Sequence, residues 1–145
     1  VGDLGVVVLE YLPEFRAFDE LDVETETELA VDLFGSLRRL HDAGMAHGDL
    51  RAENVLIRDG ELFFIDATSI STERRSAIRS YDIACGLAAL EPLIGAREAV
   101  DAALDVYAVD DLIEALDFLS FVQIRPDHDF AAAALRSEIE KRATK

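Results

Sequence analysis

The ten residues 47–56, which read His-Gly-Asp-Leu-Arg-Ala-Glu-Asn-Val-Leu, constrain the fold more than any other part of this chain. They run into an apolar strand predicted at 54–57, and a second apolar strand is predicted at 62–65. Between the strands lies Asp59-Gly60, a dipeptide that is among the strongest short signals for a β-hairpin. The sequence therefore predicts a polar loop that leads directly into a small hairpin.

Three polar residues are expected to meet at one end of this hairpin. Asp49 precedes its first strand, Asn54 begins that strand, and Asp66 follows the second. Aspartate and asparagine are common turn formers, so each of the first two has an ordinary structural explanation when it is taken alone. Together with Asp66 they form an oxygen-rich group, which suits magnesium because that ion prefers a few hard oxygen ligands and shares the rest with phosphates.

Helical periodicity dominates the rest of the chain. Apolar residues at three- and four-residue steps place one stripe on a helix at 26–43, and Gly44 is a plausible stop. The other predicted elements are a strand at 6–9, an acidic connector from 14 to about 25, a polar stretch at 68–80, and helices at 81–93, 96–107, 109 to about 121 and 129–142. The predicted fold class is α+β, a mostly helical lobe with a small hairpin and one strand before it.

The composition restricts the classes of protein to which this chain can belong. Thirty acidic residues against fourteen basic ones give a formal net charge of −16. This balance disfavours nucleic acid as a partner, because a phosphate backbone requires a basic surface. It favours a cytoplasmic protein of a high-salt organism, and an acidic partner-binding surface is the alternative. Cys85 is expected to be inert core in a reducing compartment, and no apolar run approaches the ~20 residues of a membrane-spanning helix.

The loop resembles that of a known family. Residues 47–56 resemble the catalytic loop of protein kinases, H-x-D-x-x-x-x-N, and Ile65-Asp66 resembles the metal-binding loop that follows it. The resemblance implies the carboxy-terminal lobe of an atypical kinase, cut from a longer protein, with ATP and Mg²⁺ as cofactors. Residues 1–13 would be the last strand of the amino-terminal lobe and the hinge, and 14–145 the larger lobe.

The resemblance also assigns roles to individual residues. Asp49 would orient or deprotonate the attacking hydroxyl, and Arg51 would neutralise the transferred phosphoryl group. The other implied positions are Asn54 and Asp66 for the metal, Leu9, Glu10, Leu12, Leu56 and Ile65 for the nucleotide, and His47 and Asp82 for support of the loop. His41 and His128 are assigned to structure or surface.

Several departures from common protein kinases indicate an atypical member. Gly48 replaces the arginine that pairs with an activation-loop phosphate, and Ala67-Thr68 replaces the usual Phe-Gly. The run His47-Gly48-Asp49, combined with a short segment between Asp66 and Asp82, is similar to aminoglycoside phosphotransferase-like enzymes. The metal loop is similar to the RIO type. No glycine-rich loop or partner lysine precedes the hinge, so the isolated chain is expected to bind ATP weakly or not at all.

Two functions remain open from the sequence. The first is a phosphotransferase lobe that acts on an unknown hydroxyl acceptor and works with an amino-terminal lobe of the same protein. The second is a catalytically silent pseudokinase module attached to a membrane domain, on the cytoplasmic face of the membrane. The helical half resembles kinase-like domains found ahead of lysylphosphatidylglycerol-synthase-type membrane regions, and the last five residues are rich in basic side chains. Arg74, Arg75 and Arg79 could bind an anionic substrate or neutralise nearby acids.

Overall fold

The computed structural model describes residues 16–21, 23–65, 75–124 and 129–144. In these ranges it contains a small antiparallel sheet and five α-helices. The strands are β1 (Arg16–Ala17), β2 (Val55–Arg58) and β3 (Glu61–Phe64), and the helices are α1 (Val23–Asp42), α2 (Arg75–Ile94), α3 (Ala96–Leu104), α4 (Val109–Ile124) and α5 (Ala132–Ala143). The predicted α+β class is confirmed, while the strand predicted at 6–9 lies outside the described residues.

The predicted hairpin is confirmed to within one residue at each end. Asp59 and Gly60 have φ angles of 52° and 77°, so both central residues of the turn are left-handed, as a two-residue turn between twisted strands requires. Arg58 pairs with Glu61 across this turn, and Val55 pairs with Phe64 at the open end. The hairpin thus presents its open end to the loop that precedes β2.

The prediction of an acidic connector from 14 to about 25 is wrong for most of that range. β1 pairs with β2 there, and Phe18, in the 3₁₀ turn that follows, has no exposed surface. A two-residue strand is too short to carry a periodic signal, so its pairing depends on the partner strand. Helix α1 then begins at Val23 and not at 26.

Helix α1 follows the predicted apolar stripe and the predicted stop. Leu33 and Leu37 are buried in the core. Beyond Asp42, Gly44 has a φ of 79° and donates to the carbonyl of His41, and Met45 donates to the carbonyl of Leu40. This pair of bonds is a Schellman C-cap, which needs a left-handed residue at the glycine position. The cap turns the chain directly into the polar loop.

Helix α2 lies at the centre of the lobe and packs against α1, α3 and α4. The polar stretch predicted at 68–80 is wrong at its end, because α2 begins at Arg75. Ser80, at the end of that stretch, is buried in the helix. Asp82 therefore lies inside the helix and not at its start. Cys85 is fully buried, as predicted.

The last three helices close the base of the lobe. Gly95, with a φ of 89°, separates α2 from α3 as predicted. Helix α3 ends at Leu104, three residues earlier than predicted, so Tyr107 lies in the turn before α4. Helix α5 begins at Ala132, three residues later than predicted, and packs against α3 and α4. None of the helices in the described ranges is long and apolar enough to cross a membrane.

Candidate active site

The loop between α1 and β2 has a fixed backbone path. Gly48 has a φ of 84°, a left-handed conformation that glycine adopts without a steric penalty. The loop continues through Asp49 and the fully buried Leu50 to a 3₁₀ turn at Ala52–Asn54. The amide of Ile65 donates to the carbonyl of Asn54 over 3.0 Å, which brings the far end of the hairpin beside the end of the loop.

Asp82 holds this loop from beneath. Its side chain has no exposed surface. The Oδ2 atom accepts a hydrogen bond from the backbone amide of His47, and Oδ1 accepts one from the amide of Gly48, each over 2.8 Å. Hydrogen bonds to a buried carboxylate are among the stronger ones in proteins, so α2 fixes the loop backbone.

His47 uses both of its ring nitrogens in hydrogen bonds to backbone groups. Nε2 lies 2.7 Å from the carbonyl oxygen of Ile65, which can only accept, so Nε2 carries the proton. Nδ1 accepts from the backbone amide of Asp49 over 3.1 Å. The ring also meets Phe64 edge to face, with ring centroids 5.9 Å apart. His47 is buried, and this arrangement ties the start of the loop to the end of the hairpin.

Asp49, Arg51 and Asn54 come together at the top of the loop. Arg51 Nε donates to Asp49 Oδ1 over 3.2 Å, and Asn54 Nδ2 donates to the backbone carbonyl of Asp49 over 3.1 Å. The Asp49 side chain is 23% exposed and that of Arg51 is 18% exposed. A carboxylate that faces both a cation and solvent can receive a hydroxyl group. Because the amide nitrogen of Asn54 anchors the loop, its amide oxygen is the atom suited to a metal.

The hairpin carries an apolar face that points away from the helical core. Val55, Ile57, Leu62 and Phe64 pack against the core cluster. Leu56 and Phe63, which are cross-strand partners, belong to the opposite face of the pleat, and Ile65 continues their alternation. Leu56 and Ile65 are the two described positions that the resemblance places under a nucleotide base, and Phe63 is a neighbour that the sequence analysis did not name. Their contact with a nucleotide stays a prediction.

Four predicted site residues, Leu9, Glu10, Leu12 and Asp66, lie outside the described residues. Within the described ranges no group of three or more histidine, cysteine, aspartate or glutamate side chains is placed to hold a metal ion. Asn54 is the described member of the predicted magnesium pair. The metal site as a whole therefore stays a prediction.

Two residues that the sequence analysis left out of the site reach it through Asp82. His41 Nε2 lies 2.9 Å from Asp82 Oδ2, and the hydroxyl of Tyr107 lies 3.2 Å from His41 Nδ1. The sequence predicts a structural or surface position for His41, and its side chain is only 4% exposed. Tyr107 is also buried, and no local pattern marks it, because its partner is 66 positions away.

The helical fold and the loop agree with the predicted resemblance to the carboxy-terminal lobe of RIO-type atypical kinases. The chain is 60% identical over 51 residues to a RIO-type serine/threonine-protein kinase Rio1 from Haloferax volcanii. The matched residues cover 35% of this chain and 18% of that protein. Over 64 residues it is 42% identical to a probable bifunctional tRNA threonylcarbamoyladenosine biosynthesis protein from Methanothermobacter thermautotrophicus, covering 44% of this chain and 11% of that protein.

A third relative is the KEOPS complex subunit Bud32 from Pyrococcus abyssi, 31% identical over 64 residues, which cover 42% of this chain and 29% of that subunit. The matches thus span less than a third of each relative's length. No protein-family model matches the chain, and no solved structure matches it significantly. The predicted resemblance to RIO-type atypical kinases is confirmed, and the link to a membrane region stays a prediction.

Proposed function

We propose that this chain is the catalytic lobe of an ATP- and Mg²⁺-dependent phosphotransferase that transfers a phosphoryl group to a hydroxyl acceptor. The observation that carries the proposal is the loop geometry. Asp49 and Asn54 are linked to each other by a hydrogen bond, and the buried carboxylate of Asp82 holds the backbone just before them. Phosphoryl transfer depends mainly on positioning and charge stabilisation, so a rigid loop is the appropriate catalytic support.

Asp49 and Arg51 would act on the reacting groups. The acceptor oxygen forms a bond to the γ-phosphorus of ATP, the bond to the bridging oxygen breaks, and ADP leaves. Asp49 orients the acceptor hydroxyl and takes its proton. Arg51, whose guanidinium lies beside Asp49, offers positive charge to the transferred group. His47 does not serve as the base in this scheme, because both of its ring nitrogens are hydrogen-bonded to backbone groups.

Asn54 and Asp66 would hold Mg²⁺, and the ion would neutralise charge on the phosphates. The amide nitrogen of Asn54 is bonded to the carbonyl of Asp49, which leaves the oxygen for the metal. Leu56 and Ile65, on the hairpin face away from the core, would pack beneath the adenine base, while Leu9, Glu10 and Leu12 would line its edge. An amino-terminal lobe of the same protein would cover the phosphates.

The names of the relatives suggest which acceptor and which kind of partner to test first. One relative is named a serine/threonine-protein kinase, so a serine or threonine hydroxyl of a protein is the first acceptor to test. Another is named a subunit of a complex, so a stable protein partner is the first assembly to look for. We propose a cytoplasmic location, in keeping with the reducing compartment expected for Cys85.

The test is Mg²⁺-dependent binding and turnover of ATP by the full-length protein in concentrated potassium chloride. Asp66→Ala should abolish the Mg²⁺-dependent part of binding. Asp49→Asn should lower kcat by about 10²- to 10⁴-fold, the range typical of a lost general base, and leave ATP affinity nearly unchanged. Asp59→Asn is the matched control, because its side chain is 92% exposed in the hairpin turn and asparagine tolerates the same backbone conformation.

The decisive negative result is an intact, folded protein that binds no ATP with or without Mg²⁺. Phosphotransfer would then be excluded, and the catalytically silent module would be the remaining function. Binding without turnover in every acceptor assay, with Asp49→Asn indistinguishable from the unaltered protein, would exclude the role given to Asp49.

A further inference from the structure

A chain of buried hydrogen bonds leads from the turn between α3 and α4 to the catalytic loop. The Tyr107 hydroxyl lies 3.2 Å from His41 Nδ1, and His41 Nε2 lies 2.9 Å from Asp82 Oδ2. That same Oδ2 atom accepts the amide of His47, while Oδ1 accepts the amide of Gly48. The chain therefore connects the α3–α4 turn, α1 and α2 to two consecutive amides of the loop.

The partners determine where the protons of this chain lie. Asp82 is an acceptor for two backbone amides, so His41 Nε2, which faces the same carboxylate, must donate. In the part of the chain that the structure describes, His41 Nδ1 is the one hydrogen-bond partner recorded for the Tyr107 hydroxyl. The phenol therefore donates to Nδ1, and the hydrogen bond on one ring nitrogen sets the proton on the other.

The surroundings of Tyr107 keep its hydroxyl a proton donor. Tyr107 is 3% exposed, and burial raises the pKa of its phenol well above the usual value, against the opposing effect of Arg79 and Arg38. Both guanidinium groups lie over the ring, 5.4 Å and 5.9 Å from its centroid. Phe34 meets the ring edge to face at 6.3 Å. These contacts hold the ring in one place, so the direction of the hydroxyl is determined by packing.

We propose that Tyr107 is a positioning residue for the phosphotransfer reaction: its hydroxyl fixes His41 in the Nε2–H form and thereby holds the Asp82 carboxylate against the backbone of the catalytic loop. This inference rests on the proposed function for its effect on turnover. Its effect on His41 and on the loop amides does not depend on that function.

The role requires the hydroxyl and not the ring. Tyr107→Phe keeps the ring contacts with Phe34 and the two arginines and removes only the donor to His41 Nδ1. Without that donor, the buried Nδ1 atom has lost its partner, so the His41 ring can turn or carry its proton on Nδ1. Either change leaves the Asp82 carboxylate without the third of its hydrogen bonds. The amides of His47 and Gly48 would then be held by a less constrained carboxylate, and Asp49 would lose its exact placement.

The experiment compares the unaltered full-length protein with Tyr107→Phe in three measurements. Nitrogen NMR of ¹⁵N-histidine-labelled protein reports the His41 tautomer, with the three histidines of this sequence assigned by substitution. Hydrogen–deuterium exchange reports the amides of His47 and Gly48. Steady-state kinetics report kcat and the KM for ATP. We expect a single Nε2–H form to become a mixture, loop exchange to accelerate about tenfold, and kcat to fall about tenfold with KM within about threefold.

A double-mutant cycle separates positioning from general packing. In His41→Gln the glutamine amide can still donate to Asp82 but has no tautomer for Tyr107 to set. Adding Tyr107→Phe in that background should change kcat and loop exchange by less than about twofold, because the two residues act through one chain. His41→Ala cuts the same chain and should accelerate loop exchange as Tyr107→Phe does, which keeps the test available if Tyr107→Phe does not fold.

An unchanged His41 tautomer and loop exchange within twofold in a folded Tyr107→Phe protein would overturn the proposal. Equal, additive losses in the His41→Gln background would overturn it as well, since they would indicate packing alone. If the unaltered protein shows no turnover, the proposed function fails, while the tautomer and exchange measurements still decide whether Tyr107 positions the loop.

Discussion

The loop at residues 47–54 and the base of the lobe are both held together by a carboxylate, but in opposite environments. Beneath the loop, Asp82 is fully buried and binds two backbone amides and a histidine. At the base, Asp101 is 48% exposed and pairs with Arg142 from α5, which also pairs with Glu138. The base ion pairs line an open cavity of about 610 Å³, so they are in contact with solvent.

This difference indicates which contacts contribute most to the stability of the fold. When a buried carboxylate loses its partners, the hydrogen-bond donors or the charge that remain are uncompensated. When an exposed carboxylate loses its partners, water replaces them. Exposed ion pairs contribute typically less than about 1 kcal/mol and weaken with salt. The loop is therefore expected to be rigid and sensitive to substitution, and the base tolerant.

The largest expected effect comes from replacing aspartate by asparagine at Asp82 and, for comparison, at Asp101. Asp82→Asn replaces an acceptor oxygen by an amide that faces a donor, so we expect the free energy of unfolding to fall by about 3 kcal/mol. Asp101→Asn removes one partner of an exposed pair and should cost at most about 1 kcal/mol. Urea denaturation of the two variants in the same buffer measures both values.

Comparable losses in the two variants would contradict the comparison. So would a loss for Asp82→Asn that disappears in concentrated salt, since a buried hydrogen-bond network is little affected by screening.

A smaller effect is expected from two helical glycines, one at the tight α1–α2 contact behind the loop and one outside it. A Cβ atom at Gly86 would lie 2.9 Å from the Phe34 ring, so Gly86→Ala should cost about 1–3 kcal/mol through overpacking. At Gly35 the nearest atom is the far end of Arg39, 3.9 Å away, so Gly35→Ala should stabilise α1 by up to about 1 kcal/mol. Thermal melts distinguish the opposite signs, and a neutral Gly86→Ala would show that the interface can move apart.

The smallest effect is the pH dependence of stability that arises from the ion pairs at the base of the lobe. Hydrogen bonds from Lys141 and then Arg142 lower the pKa of the Glu138 carboxyl from 4.5 to about 2. A carboxyl with a lowered pKa in the folded state contributes stability that is complete above its unfolded value and is lost as the pH falls toward the folded value. Between pH 5 and pH 2 the unaltered protein should therefore lose more stability than Arg142→Gln.

Melting temperatures at several pH values in that window measure this difference, which should be smaller than the two effects above and should shrink in 1 M salt. A pH dependence that is identical in the two proteins would remove Arg142 from the explanation.

Much of the lobe could be predicted from sequence because it depends on neighbours along the chain. The left-handed Asp59-Gly60 turn, the leucine stripe of α1 and the cap at Gly44 are all local features, and the structure contains each of them. The loop residues 47–54 were likewise recognisable by their spacing. Contacts with Leu9, Glu10, Leu12 and Asp66, the high-salt setting and the cytoplasmic location stay predictions.

Other elements could not be predicted, since their stability comes from distant partners. The polar first turns of α2 are helical although their sequence has no apolar period, and β1 is too short to recognise without β2. The helix predicted to include Tyr107 stops at Leu104, and the turn that results directs the phenol to His41.

The sequence by itself determined the locally encoded elements and the resemblance of the loop to that of kinases, because backbone preferences, turn residues and motif spacing act over a few residues. The resemblance already implied that Asp82 supports the loop, and only the tertiary structure decided that His41 and Tyr107 join it. Asp82, His41 and Tyr107 are separated by 41 and 66 positions in their hydrogen-bonded pairs. A buried hydrogen bond forms between such residues when helix packing excludes water and sets both atoms at bonding distance, and no local pattern encodes that arrangement.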